Sequence, residues 1–264
     1  APEEEPDKRD SKSIGRAKGE IAFENIKFSY TPDKPLIEDF SLRVKPGETV
    51  AIVGPTGAGK TTLVNLLMRF YEVQSGRITL DGIDTRELSR DELRKQFGMV
   101  LQDTWLFTGS IKENIAFGAF DPNEEVISNA ASAANIDHFI RSLPDGYETK
   151  LTDDSAAISN GERQLLTIAR AFIADPAILI LDEATSSVDT RTEVLVQQAM
   201  KRLRSGRTSF VIAHRLSTIR DADVILVMDK GGLVEQGTHQ ELMTKRGFYF
   251  NLYSSQFSEA GEVA

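Results

Sequence analysis

Residues 54–61 read GPTGAGKT, and the segments on either side of them decide the fold. Upstream, TVAIV (49–53) is a short apolar run of strand type; downstream, KTTLVNLLMRFY (60–71) carries its apolar residues at helical spacing. A glycine-rich turn between a strand and a helix, in the pattern G-x-x-x-x-G-K-[ST], is a loop built to wrap phosphate groups. Gly57 and Gly59 let the backbone approach phosphate oxygens, Lys60 reaches terminal phosphates, and the Thr61 hydroxyl suits Mg²⁺. Gly54, Pro55, Thr56, Gly57, Ala58, Gly59, Lys60 and Thr61, with Thr62 beside them, are therefore expected to hold a nucleotide.

Working outward, AILILD (177–182), TSFVIAH (208–214) and DVILVMD (223–229) are nearly continuous apolar runs, the pattern of parallel strands buried on both faces. The first ends in Asp182 and Glu183, at the strand edge where α/β sheets place their ligands. Neighbouring strand residues point opposite ways, so Asp182 is expected to face a metal and Glu183 to orient a water as general base. The plainer alternative is an acidic pair that caps the following helix. His214 closes the second run in the same edge position, where it suits a γ-phosphate sensor. Nearer the N-terminus, IAFENIKFSY (21–30), FSLRV (40–44) and TVAIVG (49–54) read as an antiparallel β region, and SGRITLDGIDTREL (75–88) as a hairpin leading into a helix. Residues 123–172 are mostly helical in pattern and read as an insertion.

Composition narrows the function. In 264 residues, 31 Lys and Arg face 40 Asp and Glu, a net charge of −9 that argues against a nucleic-acid partner. The chain has no cysteine, which removes disulfides and thiolate chemistry, and a reducing cytosol is the default compartment. No apolar run approaches the roughly 18–20 residues of a bilayer span, so the chain reads as soluble. Residues 1–19, dense in mixed charge, read as a flexible linker once joined to something upstream.

A second anion-binding element stands at SAAISNGERQLLTIARAF (155–172), a small-residue turn feeding an apolar-periodic helix. With it the chain resembles the nucleotide-binding domain of an ATP-binding-cassette transporter, over roughly residues 20–257, because ISNGERQ (158–164) is similar to that family's signature sequence. The resemblance implies an α/β P-loop NTPase (RecA-like) core with an antiparallel β subdomain and an inserted helical subdomain at about residues 103–172, followed by a tail at 258–264. It implies ATP and Mg²⁺ as ligands, with Thr61, Gln102 and Asp182 around the metal. It also implies a head-to-tail partner domain, whose ATP would be clamped by Ser159, Gly161 and Glu162. By the same resemblance, Tyr30 matches the aromatic that stacks on adenine, and Gln102 the glutamine that touches Mg²⁺ and the attacking water. Ser187 and Asp189 match the loop that crosses to the partner site, and His214 the switch histidine. TWLFTGSIKENI (104–115), with Trp105, Phe107 and Ile111, resembles the surface that receives a transmembrane domain in exporters, although these side chains could equally be core.

The expected activity is thus that of an exporter's ATPase motor at the cytoplasmic face of a membrane. The alternative within the family is a non-transport ATPase of DNA repair or the ribosome. A GTPase is disfavoured because no Asn is followed by Lys, as a guanine-binding Asn-Lys-x-Asp would require. Two departures stand out: Ile158 replaces the usual Leu, and LTDDSAA (151–157) lacks the exporters' Gly-Glu-x-Gly. They raise the expectation of an asymmetric, heterodimeric exporter beside the simpler homodimer. His138 and His239 read as surface or capping residues.

Overall fold

The computed structural model describes residues 7, 11–31, 33–101, 104–152, 158–183, 189–213 and 215–257. The chain divides into two units: Ala1–Phe97, Ala177–Glu183 and Arg207–Ala264 form the first, and Gly98–Pro176 with Ala184–Gly206 form the second.

In the first unit, β1 (Ile21–Phe28) and β2 (Ile37–Val44) pair antiparallel. The strand β3 (Thr49–Val53) leads through the glycine-rich loop into α1 (Lys60–Leu67). β4 (Ser75–Leu80) and β5 (Ile83–Asp84) complete an antiparallel sheet in the order β2-β1-β4-β5. The Asp81-Gly82 turn between them has φ of 49° and 80°, the doubly left-handed backbone of a tight hairpin that Asp-Gly tolerates. A 3₁₀ turn at Thr85–Glu87 then precedes the short α2 (Arg90–Arg94). Arg94 donates to the carbonyls of Met68 (3.1 Å) and Arg69 (3.1 Å), just past α1, so α2 grips the far end of the helix that begins at Lys60.

TVAIVG does not join the antiparallel region as expected. β3 lies in the parallel sheet, between β10 (Thr208–Ile212) and β11 (Val224–Asp229). Its four residues Val50–Val53 are all buried, and a strand covered on both faces belongs among the parallel strands. β9 (Ile178–Asp182) flanks β10 on its other side, and β12 (Gly232–Gly237) adds an antiparallel edge against β11. The register aligns the strand ends: Ile212 pairs with Ile52 of β3 and with Asp182 of β9, so all three strands open on one edge of the sheet. The helices α8 (Leu216–Arg220), α9 (His239–Lys245) and α10 (Phe248–Phe257) complete this unit.

Residues 11–19, read from composition as flexible, are tied down. The Lys12 N–H donates to Glu87 O (2.7 Å), Gln96 holds both Gly15 O (2.7 Å) and the Ala17 N–H (2.9 Å), and the Asp81 carboxylate accepts from the backbone N–H groups of Lys18, Gly19 and Glu20. Backbone hydrogen bonding to fixed side chains orders a segment that has few large apolar groups of its own.

The chain passes to the second unit along β6 (Phe97–Val100). That unit is mainly helical: β7 (Gly109–Ser110), α3 (Ile111–Ala116), α4 (Glu124–Ala133), α5 (Asp137–Ser142), β8 (Lys150–Leu151), α6 (Asn160–Ala174) and α7 (Thr190–Arg204). Its core is the buried stripe Leu165, Leu166, Ile168, Ala169 of α6 with Val196, Ala199, Met200 and Leu203 of α7. At about 1.5–3 kcal/mol for each large aliphatic side chain buried, this stripe explains why the helices form here.

Candidate nucleotide-binding site

The glycine-rich loop starts one residue past β3. Gly54 has a φ of 152°, and a Cβ there would run into the Met228 carbonyl, so only glycine lets the chain turn beside β11. Gly59, at a φ of 94°, is the N-cap of α1 and brings no side-chain cap, which leaves the first N–H groups of the helix for an incoming anion. Ala58 is buried and anchors the loop to the first unit. Lys60 folds back over the loop, its Nζ donating to Gly54 O (2.7 Å) and Pro55 O (3.0 Å). Burial lowers its affinity for a proton below the ordinary lysine range, and the nearby Asp182 carboxylate opposes that shift. The ammonium is thus parked on loop carbonyls, within the field of the acidic strand end.

Thr61 is exposed and Thr62 buried at the start of α1. The Thr62 hydroxyl is hydrogen-bonded to the Tyr30 hydroxyl (3.1 Å). Tyr30 stands 49% exposed and packs edge-on against Phe28 and Tyr71, at ring separations of 4.9 and 5.0 Å. One end of the ring is therefore fixed to the phosphate-loop helix while much of the ring stays open.

Asp182 ends β9 half-buried; Glu183, one residue on, is only 3% exposed. The Glu183 N–H donates to Ile212 O (3.1 Å), and its Oε1 accepts a hydrogen bond from the Thr218 hydroxyl at 2.7 Å. Among the described residues, neither carboxylate is the N-cap of the next helix. That task falls to Asp189, the N-cap of α7, whose Oδ1 accepts from the N–H groups of Arg191 (3.1 Å) and Thr192 (3.0 Å). The Thr192 N–H is the leading reason its carboxyl lies below the ordinary range.

A family model described as ABC transporter matches residues 37–186, from β2 through the glycine-rich loop and β9. The chain belongs to the ABC transporter family. It is 58% identical over 251 residues to a fatty acid ABC transporter ATP-binding/permease protein of Mycobacterium bovis, covering 95% of this chain and 40% of that protein. To an ATP-dependent lipid A-core flippase of Syntrophus aciditrophicus it is 48% identical over 253 residues, covering 96% of this chain and 42% of the flippase. Among solved structures, a bacterial Atm1-family ABC exporter with ATP bound superimposes with a TM-score of 0.87 at 41% identity, covering 97% of this chain and 45% of the exporter. The chain therefore spans about two fifths of the length of the curated relatives it matches.

In this ABC chain the signature-like stretch lies in the second unit. Ser159 is the N-cap of α6 and Glu162 its partner in a reciprocal box: the Ser159 N–H and hydroxyl both donate to Glu162 Oε2, at 2.7 and 2.9 Å, and the Glu162 N–H donates to Ser159 Oγ at 3.3 Å. Gly161 is buried in the first turn. Ile158, at 6% exposure, is a core residue, so its replacement of leucine changes packing and not a ligand-facing group. Gln102, Ser187, His214 and residues 153–157 of the departing stretch 151–157 lie outside the described residues.

Of the three side chains expected at a docking face, Trp105 is 62% exposed and clusters with Phe107 and Phe117. Ile111 does not belong with them: the first residue of α3 points into the unit and is fully buried. His138 is exposed on α5. His239 does not cap α9, since Thr238 does; its Nδ1 instead pairs with the Tyr249 hydroxyl (2.8 Å).

Three working residues escaped the sequence reading. Thr218 holds Glu183. Asn114 is buried and closes the loop before α3, accepting from the Phe107 N–H and donating to the carbonyls of Phe107 and Ser110. Arg170 donates to Trp105 O and Asn114 O and lies over the Trp105 and Phe117 rings, 5.9 and 5.4 Å from their centres. For Arg170 a signal existed: a charged residue within the apolar-periodic stretch 164–172 has to find partners. Thr218 carried none, because a threonine in a short helix is ordinary.

Proposed function

We propose that this chain is the ATP-binding and ATP-hydrolysing motor of an exporter, with residues 20–257 as the nucleotide-binding domain, residues 1–19 as its linker and 258–264 as a tail. The observation that carries the reading is the common strand edge: Gly54 to Thr61 follow β3, and Asp182 ends β9 with Glu183 one residue on, on either side of Ile212. Lys60 exchanges its loop carbonyls for phosphate oxygens, and the uncapped N-terminus of α1 adds positive field. Tyr30 stacks on the adenine. Among the described residues, no group of three or more His, Asp or Glu could by itself cage a metal. The Thr61 hydroxyl and Asp182 carboxylate are, however, oxygen donors of the kind Mg²⁺ takes beside nucleotide phosphates. Gln102 joins them. Bound there, Mg²⁺ supplies neutralisation of phosphate charge. Glu183 accepts the proton of the attacking water, and His214 reads the γ-phosphate.

A second nucleotide-binding domain pairs head to tail, with Ser159, Gly161, Glu162 and Asp189 acting on the partner's ATP. Burial of Ile158 favours a competent signature, and so self-pairing over the asymmetric heterodimer. A transmembrane domain docks near Trp105 and Phe107, with the chain at the cytoplasmic face of a membrane. Among the described residues no helix is long and apolar enough to cross one. The names of the relatives, a fatty acid transporter and a lipid A-core flippase, support a lipid-like substrate. The net charge of −9 supports transport over the nucleic-acid alternative.

Glu183→Gln tests the reading. The variant is expected to bind ATP normally and to lose about 10²-fold or more of its turnover. With Mg-ATP its mass by light scattering should double. Near-normal hydrolysis would remove Glu183 from the role of base.

A further inference from the structure

We infer that Thr218 is a positioning residue for Glu183, fixing the carboxylate from which hydrolysis is launched. The inference rests on Glu183 being the base proposed above. The backbone of Glu183 is set by its N–H bond to Ile212 O, which continues the pairing of β9 with β10. A backbone fixed in this way still leaves the side chain its own rotations. Thr218, on α8, removes that freedom: its hydroxyl donates to Glu183 Oε1 at 2.7 Å, the short distance of a hydroxyl bonded to a carboxylate. Both residues are buried, Thr218 at 2% and Glu183 at 3% exposure, so solvent does not compete for the bond. Both belong to the first unit, so the hold does not depend on the second.

A base delivered from a freely rotating side chain spends most of its time misaimed, and misplacement by about 1 Å costs on the order of a hundredfold in rate. Thr218 acts through Glu183, on the carboxylate its hydroxyl holds. Its neighbour Ile219 is 4% exposed, so α8 is seated in the core and holds the hydroxyl in place.

The test is steady-state hydrolysis by the full chain with two substitutions, Thr218→Val, which keeps the shape and deletes the hydroxyl, and Thr218→Ser, which keeps the hydroxyl. Thr218→Val is expected to lower kcat about tenfold or more with KM within about twofold, and Thr218→Ser to stay within about threefold of the parent. An unchanged or raised kcat in Thr218→Val overturns the inference. So does a Thr218→Ser variant as impaired as Thr218→Val, or a loss carried by KM. Glu183→Gln, measured alongside, separates the two claims: if it hydrolyses normally the base itself is misassigned, and if it is inactive while Thr218→Val is normal only the positioning role fails.

Discussion

Among the described helices, α1 and α6 are the two expected to meet an anion, and their N-termini are finished differently. α1 begins after Gly59 with no side-chain cap, whereas α6 begins after Ser159 inside a closed box with Glu162. The first leaves its N–H groups for a ligand; the second has already satisfied several of its donors within the chain. A phosphate can therefore approach α1 without displacing a cap. At α6 it competes with Glu162, a carboxylate that holds both the N–H and the hydroxyl of Ser159. The difference teaches that the same local element can be left open at its N–H groups or closed by its own side chains.

Lys60→Ala should break the α1 side of this comparison most severely. Removing the ammonium that now rests on Gly54 O and Pro55 O is expected to cut hydrolysis by at least about a hundredfold, read as kcat/KM. Tyr30→Ala sharpens it at the base end. Losing one stacking face should raise KM for ATP roughly tenfold, with kcat little changed. The smallest effect is expected on the α6 side. Glu162→Ala opens the box and should cost about 1 kcal/mol, a fall of about 2–4 °C in melting temperature. Nucleotide binding at the phosphate loop, followed by calorimetry, should be unaffected. A drop in that binding would mean that the two termini are not independent.

Much of this was legible in the sequence, for identifiable reasons. The apolar runs AILILD, TSFVIAH and DVILVMD became parallel strands because strands covered on both faces must be apolar throughout. TVAIVG carries the same signature, and grouping it with its antiparallel neighbours gave proximity in sequence more weight than burial. GPTGAGKT was readable because its glycines are demanded by backbone geometry, as the Met228 carbonyl beside Gly54 shows. Thr218 was not readable, since its role arises from Glu183, a distant partner that only the folded chain supplies, and Asn114 was not, since its bonds to Phe107 and Ser110 depend on how the loop before α3 closes. Ile111 stayed open between docking face and core for a related reason: in an amphipathic stretch, one apolar residue faces solvent and the next the core, and composition does not say which. Residues 11–19 misled because their order comes from backbone hydrogen bonds to Asp81 and Gln96 and not from apolar burial.

That anchored segment also sets up a mechanical series. The chain at residue 12 is fastened to Glu87, Gln96 at the end of α2 clasps Gly15 and Ala17, and Arg94 of α2 holds the carbonyls just beyond α1. A tug at residue 11 would thus be handed, joint by joint, to the trailing end of the helix whose leading end carries Lys60. The segment is therefore built as a series of short links between residue 12 and the far end of α1, and not as a loose tether.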